Sequence, residues 1–228
     1  MGAREHPGLT VVRVFCAADG TGGNPLGVFL DGSAIAEDAR QPIARELMFS
    51  ETVFVDDTSS GEMRIFTPTA ELPLAGHPLV GTAWLLKRRD MPVAILRPPA
   101  GEVDVHYEGD LSWVAARPEW GPPWAYEELS SPEEIDALDP DEMANEEVRW
   151  AWIVEDAGIV RMRVFARDDG IPEDEATGSA ALQLTAELGR EIEIRQGRGS
   201  LLYAHPLVGG RAEVAGRVAE DPDAQPHG

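Results

Sequence analysis

The chain has 228 residues, enough for one large domain or two small ones, and its 43% hydrophobic and 26% charged content excludes a disordered or collagen-like chain. Nineteen basic and 41 acidic residues give a formal net charge of −22. This charge disfavours binding to nucleic acid and to anionic lipid, because both are polyanions. A single cysteine, Cys16, excludes an intrachain disulfide and a multi-cysteine metal site.

The sequence carries no membrane or export signal that composition reveals. The opening MGAREHPGLTVV lacks the apolar core of a signal peptide, and no run of about 18 apolar residues follows. We therefore expect a cytoplasmic protein that has no membrane partner.

Strands and helices alternate through the first half of the chain. Runs rich in β-branched residues predict strands, and amphipathic runs predict helices. The predicted elements are, in order, strand 9–15, a glycine-rich loop 19–25 that makes Asn24 a turn residue, strand 27–30, helix 37–48, strands 52–55 and 63–66, helix 79–89, and strands 93–96, 102–107 and 111–116.

The second half opens differently. Residues 117–147 hold many prolines and acids and predict a crossing between domains with short helical turns. The regular pattern then returns, and it predicts strands 150–154 and 160–165, helix 178–188, and strands 191–197, 200–208 and 211–218.

One segment of the chain is repeated in the second half. RIFTPTAELPLAGHPLVGTAWLL (64–86) resembles RVFARDDGIPEDEATGSAALQL (163–184), and each copy predicts a strand, a loop and a helix. The repeat indicates two similar domains, 1–117 and 118–228, with a last strand able to cross back to the first domain.

Both copies of the repeat place a glycine directly before the predicted helix, Gly76 in one and Gly178 in the other. Glycine allows backbone amides to approach a ligand closely, and the first turn of a helix carries unpaired N–H groups and partial positive charge. Two such helix ends facing one cleft predict a site for a carboxylate or another anion.

Four side chains near these glycines carry acid, base or hydrogen-bonding chemistry: Glu51, His77, Asp174 and Ser179. A half-buried carboxyl at Glu51 and an imidazole at His77 are suited to moving protons. Each residue taken alone also has a structural explanation. These are a solvated carboxylate for Glu51, a structural hydrogen bond for His77, a loop or capping acid for Asp174, and an ordinary first-turn position for Ser179.

Other chemistries leave no trace in the sequence. It contains no P-loop, no dinucleotide fingerprint followed by a helix, no H-E-x-x-H zinc motif and no G-x-S-x-G elbow. The tryptophans are assigned to core or inter-domain packing.

Four motifs in fixed order carry a family resemblance: GNPLGVFLDG (23–32), ARELMFSETVFV (44–55), RIFTPTAELPLAGHPLVGTA (64–83) and GIPEDEATGSAA (170–181). Together they resemble the phenazine-biosynthesis PhzF-like isomerase family, which has the diaminopimelate-epimerase fold. The resemblance implies an α+β protein of two pseudo-symmetric domains, each a mixed sheet or barrel around a central helix. It also implies an active site between the domains, no cofactor, no metal and a homodimer.

The resemblance implies a role for each candidate residue. Glu51 corresponds to the general acid/base that moves a proton between carbons of a small carboxylated substrate, while His77 and Asp174 orient the substrate and stabilise developing charge. The residues predicted to bind the substrate are Ser50, Gly76, Gly178 and Ser179.

Two departures from the family pattern leave an alternative open. The chain is shorter than usual within 117–150, and Glu175 stands where the family has proline after the loop aspartate. A shortened second domain is also compatible with a catalytically silent binding or scaffold protein that keeps the fold.

Overall fold

The computed structural model describes residues 6–167 and 171–221, which form an α+β protein. In these ranges the helices are α1 Glu37–Leu47, α2 Gly76–Arg88, α3 Pro132–Asp136 and α4 Gly178–Leu188. The strands are β1 Leu9–Cys16, β2 Asn24–Phe29, β3 Glu51–Asp57, β4 Glu62–Phe66, β5 Glu71–Leu72, β6 Ile95–Leu96, β7 Val103–Glu108, β8 Leu111–Ala116, β9 Ala125–Glu128, β10 Glu147–Val154, β11 Ile159–Ala166, β12 Ile171–Asp174, β13 Ile192–Gln196, β14 Ser200–Leu207 and β15 Arg211–Glu220.

The strands form one continuous mixed sheet that curls around the helices. Its order is β5-β4-β3-β2-β1-β15-β14-β13-β11-β10-β9, with β12 beside β11, and β8, β7 and β6 branching from β15. The β2/β3, β11/β13 and β9/β10 pairs are parallel. Strand β15 pairs with β1, β8 and β14, so the end of the described chain joins the strands of its first half to those of its second.

Helices α2 and α4 form the centre of the core. The first eight residues of α2 are all buried, as are the first five of α4. Helix α2 packs on β1, β8 and β15, and α4 packs on β14 and β15. Each is apolar on most of its circumference because the sheet surrounds it, which is the pattern of a helix enclosed by a core.

The N-termini of these two helices touch each other through their backbones. A Cβ placed on Gly76 would lie 2.5 Å from Gly178 Cα, and one placed on Gly178 would lie 2.7 Å from Gly76 Cα. Only glycine at both positions allows this approach.

The structure corrects several predicted boundaries. Asn24 is not a turn residue but the first residue of β2, where it pairs with Val14. Helix α2 begins at Gly76 rather than after Pro78, and the strand predicted at 93–96 is reduced to Ile95–Leu96. The segment 117–147 contains a predicted short helical turn, α3, and also a strand that was not predicted, β9, which pairs with β10. The division into domains 1–117 and 118–228 stays a prediction.

Among the described residues, no helix combines the length and the apolar character that crossing a membrane requires.

The contact between the two helix ends predicts that Gly76→Ala destabilises the protein by about 3 kcal/mol or more, because the added methyl group meets backbone that cannot move aside alone. The free energy of urea unfolding measures this. Gly109→Ala is the matched control: Gly109 has φ +56° and no atom within 4 Å of the added Cβ, so strain alone costs about 1 kcal/mol. Equal losses in the two variants would contradict the tight contact.

Candidate active site

A cavity of about 350 Å³ opens where α2 and α4 meet. It is lined by most of the residues selected from the sequence, namely Glu51, Gly76, His77, Asp174, Gly178 and Ser179. Ser50 is buried beside Glu51 and is not one of the described residues that line the cavity. The structure therefore brings together all the selected residues except Ser50.

Glu51 and His77 form an ion pair in this cavity. Glu51 is the first residue of β3 and His77 the second residue of α2, and Glu51 Oε2 lies 3.0 Å from His77 Nε2. Their side chains are only 13% and 4% exposed. Burial lowers the pKa of His77, but the charges of Glu51 and Asp174 and the contact with Glu51 outweigh it, so the pKa of His77 is raised. His77 therefore holds its proton more tightly beside the buried Glu51 carboxyl than a free imidazole does.

Asp174 ends β12 and is held by two donors. Asn24 Nδ2 donates to its Oδ1 over 2.6 Å, and Thr177 Oγ1 donates to its Oδ2 over 2.5 Å. Burial raises the pKa of Asp174, and the charge of Glu51 raises it further. His77 and the two hydrogen bonds oppose this increase without cancelling it. The charge of Glu51 thus raises the pKa of both His77 and Asp174.

Sequence reasoning missed two residues that fix the Asp174 loop. Asn24 is fully buried, and its Nδ2 also donates to the Ala176 carbonyl over 3.0 Å. Gln196 Nε2 donates to the Asp174 carbonyl over 2.8 Å, and Gln196 Oε1 accepts from the Thr177 amide over 3.0 Å. The sequence contained a signal for Asn24, because this residue lies in the GNPLG motif. Gln196 lies in an ordinary strand pattern, so the sequence contained no signal for its role.

The two helix ends at the cavity are not capped by the side chains of their own N-cap residues. Neither N-cap residue, Ala75 or Thr177, caps its helix through a side chain, and neither first turn contains an acidic residue. The first amides of α2 and α4 are therefore not neutralised by their own helices, and the partial positive charges of both ends add at one place.

A tryptophan-containing segment forms the opposite side of the cavity. Trp120, Gly121, Pro122 and Trp124 line it, and Trp124 Nε1 donates to Ser179 Oγ over 3.1 Å. Assigning all the tryptophans to packing was therefore incomplete, because two of them face the site.

Glu175 does not add its charge to the cavity. It accepts hydrogen bonds from the Arg198 amide over 2.7 Å and from Ser200 Oγ over 2.9 Å, and burial raises its pKa. The replacement of the family's proline by Glu175 therefore ties the Asp174 loop to the turn before β14. Residues 168–170 of the motif-bearing loop lie outside the described residues.

No three His, Cys, Asp or Glu side chains within 6–167 and 171–221 are grouped to bind a metal ion. The absence of a metal and of a cofactor stays a prediction.

Comparison with known proteins supplies the family. The model of the phenazine biosynthesis-like proteins matches residues 12–117. The trans-2,3-dihydro-3-hydroxyanthranilate isomerase of Pseudomonas chlororaphis is 33% identical over an aligned length of 248 residues. The aligned region covers 86% of this chain and 88% of that protein. The isomerase of the same name from Pseudomonas aeruginosa is 32% identical over 246 residues, covering 85% and 86%. The chain belongs to the PhzF family. It is an isomerase, and the resemblance carried by the four motifs is confirmed.

Solved structures confirm the fold of this PhzF-family isomerase. A PhzF-family protein of Bacillus anthracis superposes with a TM-score of 0.77 at 19% identity, covering 93% of this chain and 96% of that one. A hydroxyproline epimerase of Agrobacterium vitis superposes with a TM-score of 0.60 at 11% identity, covering 93% and 90%. The predicted α+β, epimerase-like architecture is thereby confirmed.

The raised pKa of His77 predicts how the stability of this PhzF-family protein depends on pH. The folded protein holds the His77 proton more tightly than the unfolded chain, whose pKa is 6.5, so the added stability is complete below pH 6.5 and is lost as pH rises through the raised pKa. Urea unfolding between about pH 6 and pH 9 is expected to show a steeper loss of stability in the wild type than in His77→Gln. Glu51→Gln removes the charge that raises this pKa and is expected to flatten the same slope. Parallel slopes in all three proteins would contradict the ion pair.

The double contact of Asn24 predicts that Asn24→Ala costs about 2 kcal/mol or more in unfolding free energy, because Asp174 Oδ1 and the Ala176 carbonyl both lose a buried donor. Ser59→Ala removes an exposed hydrogen bond to Asp57 and is expected to cost no more than about 0.5 kcal/mol. A loss for Asn24→Ala as small as that of the control would show that Asn24 does not hold the loop.

Proposed function

We propose that this PhzF-family isomerase moves a proton between two carbons of a small carboxylate, with Glu51 as the general acid and base. The observation that carries the proposal is the placement of the Glu51–His77 ion pair, with its 3.0 Å contact, in the same cavity as two uncapped helix N-termini. One part is suited to moving protons and the other to holding an anion.

The proton transfer balances within the substrate. Glu51 takes a proton from one carbon, the electron pair spreads through the neighbouring unsaturated system, and Glu51 returns the proton to a second carbon. The charge of Glu51 raises the pKa of His77, and the imidazole 3.0 Å from Glu51 stabilises the carboxylate form that accepts the proton. A positioned acid/base contributes a factor of about 10²–10⁴, so orientation of the substrate must supply the remainder of the rate.

The substrate carboxylate binds at the paired helix ends in this proposal. The backbone amides at Gly76 and Gly178 and the Ser179 hydroxyl point donors at one anion, while Asp174 contacts a polar group of the substrate on the other side. Burial and the charge of Glu51 raise the pKa of the Asp174 carboxyl, and hydrogen bonds from Asn24 and Thr177 hold that carboxyl in place at the cavity.

The printed name of the two Pseudomonas relatives indicates the substrate to try first. We infer that trans-2,3-dihydro-3-hydroxyanthranilate, or another cyclic carboxylate of that size, enters this cavity of about 350 Å³. A homodimer, a cytoplasmic location and a contribution of Ser50 to substrate binding stay predictions.

Deuterium incorporation from D₂O into trans-2,3-dihydro-3-hydroxyanthranilate, followed by NMR or mass spectrometry, tests the role of Glu51. We expect Glu51→Gln to lower the rate of incorporation about 10²–10⁴-fold, because the amide does not accept a proton from carbon.

Glu146→Gln is the matched control, since Glu146 is the second glutamate among the described residues that line the cavity. Its exchange rate is expected to stay within about threefold of the wild type, as rate changes of that size correspond to less than about 1 kcal/mol. Exchange by Glu51→Gln at the wild-type rate would remove Glu51 as the base. Turnover of this substrate by the wild type would then decide between an enzyme and the scaffold alternative.

A further inference from the structure

Residues Pro118–Tyr126 form a strap that lies across the N-terminus of α4. Gln183 Nε2, on α4, donates to the carbonyls of Pro118 over 3.1 Å and of Pro122 over 2.9 Å. Tyr126 Oη donates to the Ala180 carbonyl over 2.9 Å. The strap is therefore bound to the helix at its beginning, its middle and its end.

The strap approaches Ser179 closely. A Cβ placed on Gly121 would lie 3.0 Å from Ser179 Cβ and 3.2 Å from Gln183 Nε2, so a larger residue there would push the strap away. At the far side the Trp120 ring lies against Gly101, where an added Cβ would come within 2.9 Å of the ring. Packing on both sides thus fixes Trp120 and Gly121, which precede Trp124 in the strap.

The contact between Trp124 and Ser179 determines the polarity of the serine hydroxyl. An indole N–H only donates, so Ser179 Oγ is the acceptor in the 3.1 Å hydrogen bond from Trp124 Nε1. The indole proton occupies one of the two lone pairs of Ser179 Oγ, so the hydroxyl proton points away from the indole. Ser179 also lines the cavity. The hydroxyl then presents a donor to a ligand bound at the helix ends.

We propose that Trp124 is a positioning residue that fixes the Ser179 hydroxyl as a donor and thereby makes the cavity prefer a carboxylate to the equivalent carboxamide. The inference rests on the proposed function, in that it takes the helix ends as the carboxylate site. A carboxylate only accepts hydrogen bonds, and a bond to its charged oxygen is about twice as strong as a neutral one. A carboxamide also donates, and a serine oxygen already bonded to Trp124 has less capacity to accept from it.

Benzoate and benzamide are the probes, because they have the same ring and differ only in the group that would contact Ser179, a carboxylate or a carboxamide. Isothermal titration calorimetry gives the Kd of each for the wild type, Trp124→Phe, Ser179→Ala and the double variant. Trp124→Phe keeps an aromatic ring but removes the N–H donor together with part of the indole, and the loss of the donor leaves the hydroxyl free to turn and accept from the amide. We expect the preference for benzoate over benzamide to fall about fivefold to tenfold in Trp124→Phe.

A double-mutant cycle separates this role from simple packing. In the Ser179→Ala background the additional change Trp124→Phe is expected to alter the preference less than about twofold, because the hydroxyl through which Trp124 acts is gone. Trp120→Phe is the matched control: it makes the same change of ring in the same cavity, and it is expected to change the two Kd values by the same factor.

Three results would overturn the proposal. The first is an equal loss of benzoate and benzamide binding in Trp124→Phe, and the second is an undiminished effect of Trp124→Phe in the Ser179→Ala background. The third is failure of the wild type to bind benzoate at all, which would remove the carboxylate site itself.

Retained benzamide binding and an unchanged unfolding midpoint show that each variant is folded. The outcome is independent of Glu51, so loss of the deuterium-exchange result would not imitate any of these three.

Discussion

The contact between the backbones of Gly76 and Gly178 is the constraint on which the site depends. It brings the first turns of α2 and α4 together, and the residue after each glycine, His77 or Ser179, then enters the same cavity. Two partial positive charges this close repel each other, so the arrangement requires negative charge nearby. Glu51 lines the same cavity and is placed to supply it, and in the proposed function a bound carboxylate adds to it.

The overall acidity of the protein is compatible with the anion site that we propose. The net charge is −22, yet neither α2 nor α4 has an acidic residue in its first turn, and Glu175 is bonded to the Arg198 amide and Ser200 instead of facing the cavity. Surface charges farther away than about 8 Å are largely screened at physiological salt, so nearby donors determine what binds. The global charge therefore describes the surface of the molecule and not its site.

The sequence predicted what depends on local pattern and failed where the determinant lies far along the chain. Helix α4 and strand β8 follow their patterns residue by residue, and the glycine-led helices were recognisable from the repeat. Asn24 was misassigned because its partner Asp174 is 150 residues away, and no local rule distinguishes a buried asparagine from a turn residue. Strand β9, AYEE, has no apolar alternation and exists because β10 pairs with it.

The strap shows how chemistry and selectivity are separated in this fold. The residues proposed to transfer the proton come from β3 and the start of α2, inside the motifs that carry the family resemblance, whereas Trp120 and Trp124 come from a segment outside those motifs. The strap acts on Ser179 through the indole N–H of Trp124, and it is anchored to α4 at Gln183. In the proposed role of Trp124, a change in the strap alters what the anion site accepts without replacing Glu51 or His77, so substrate preference can vary separately from the proposed proton transfer.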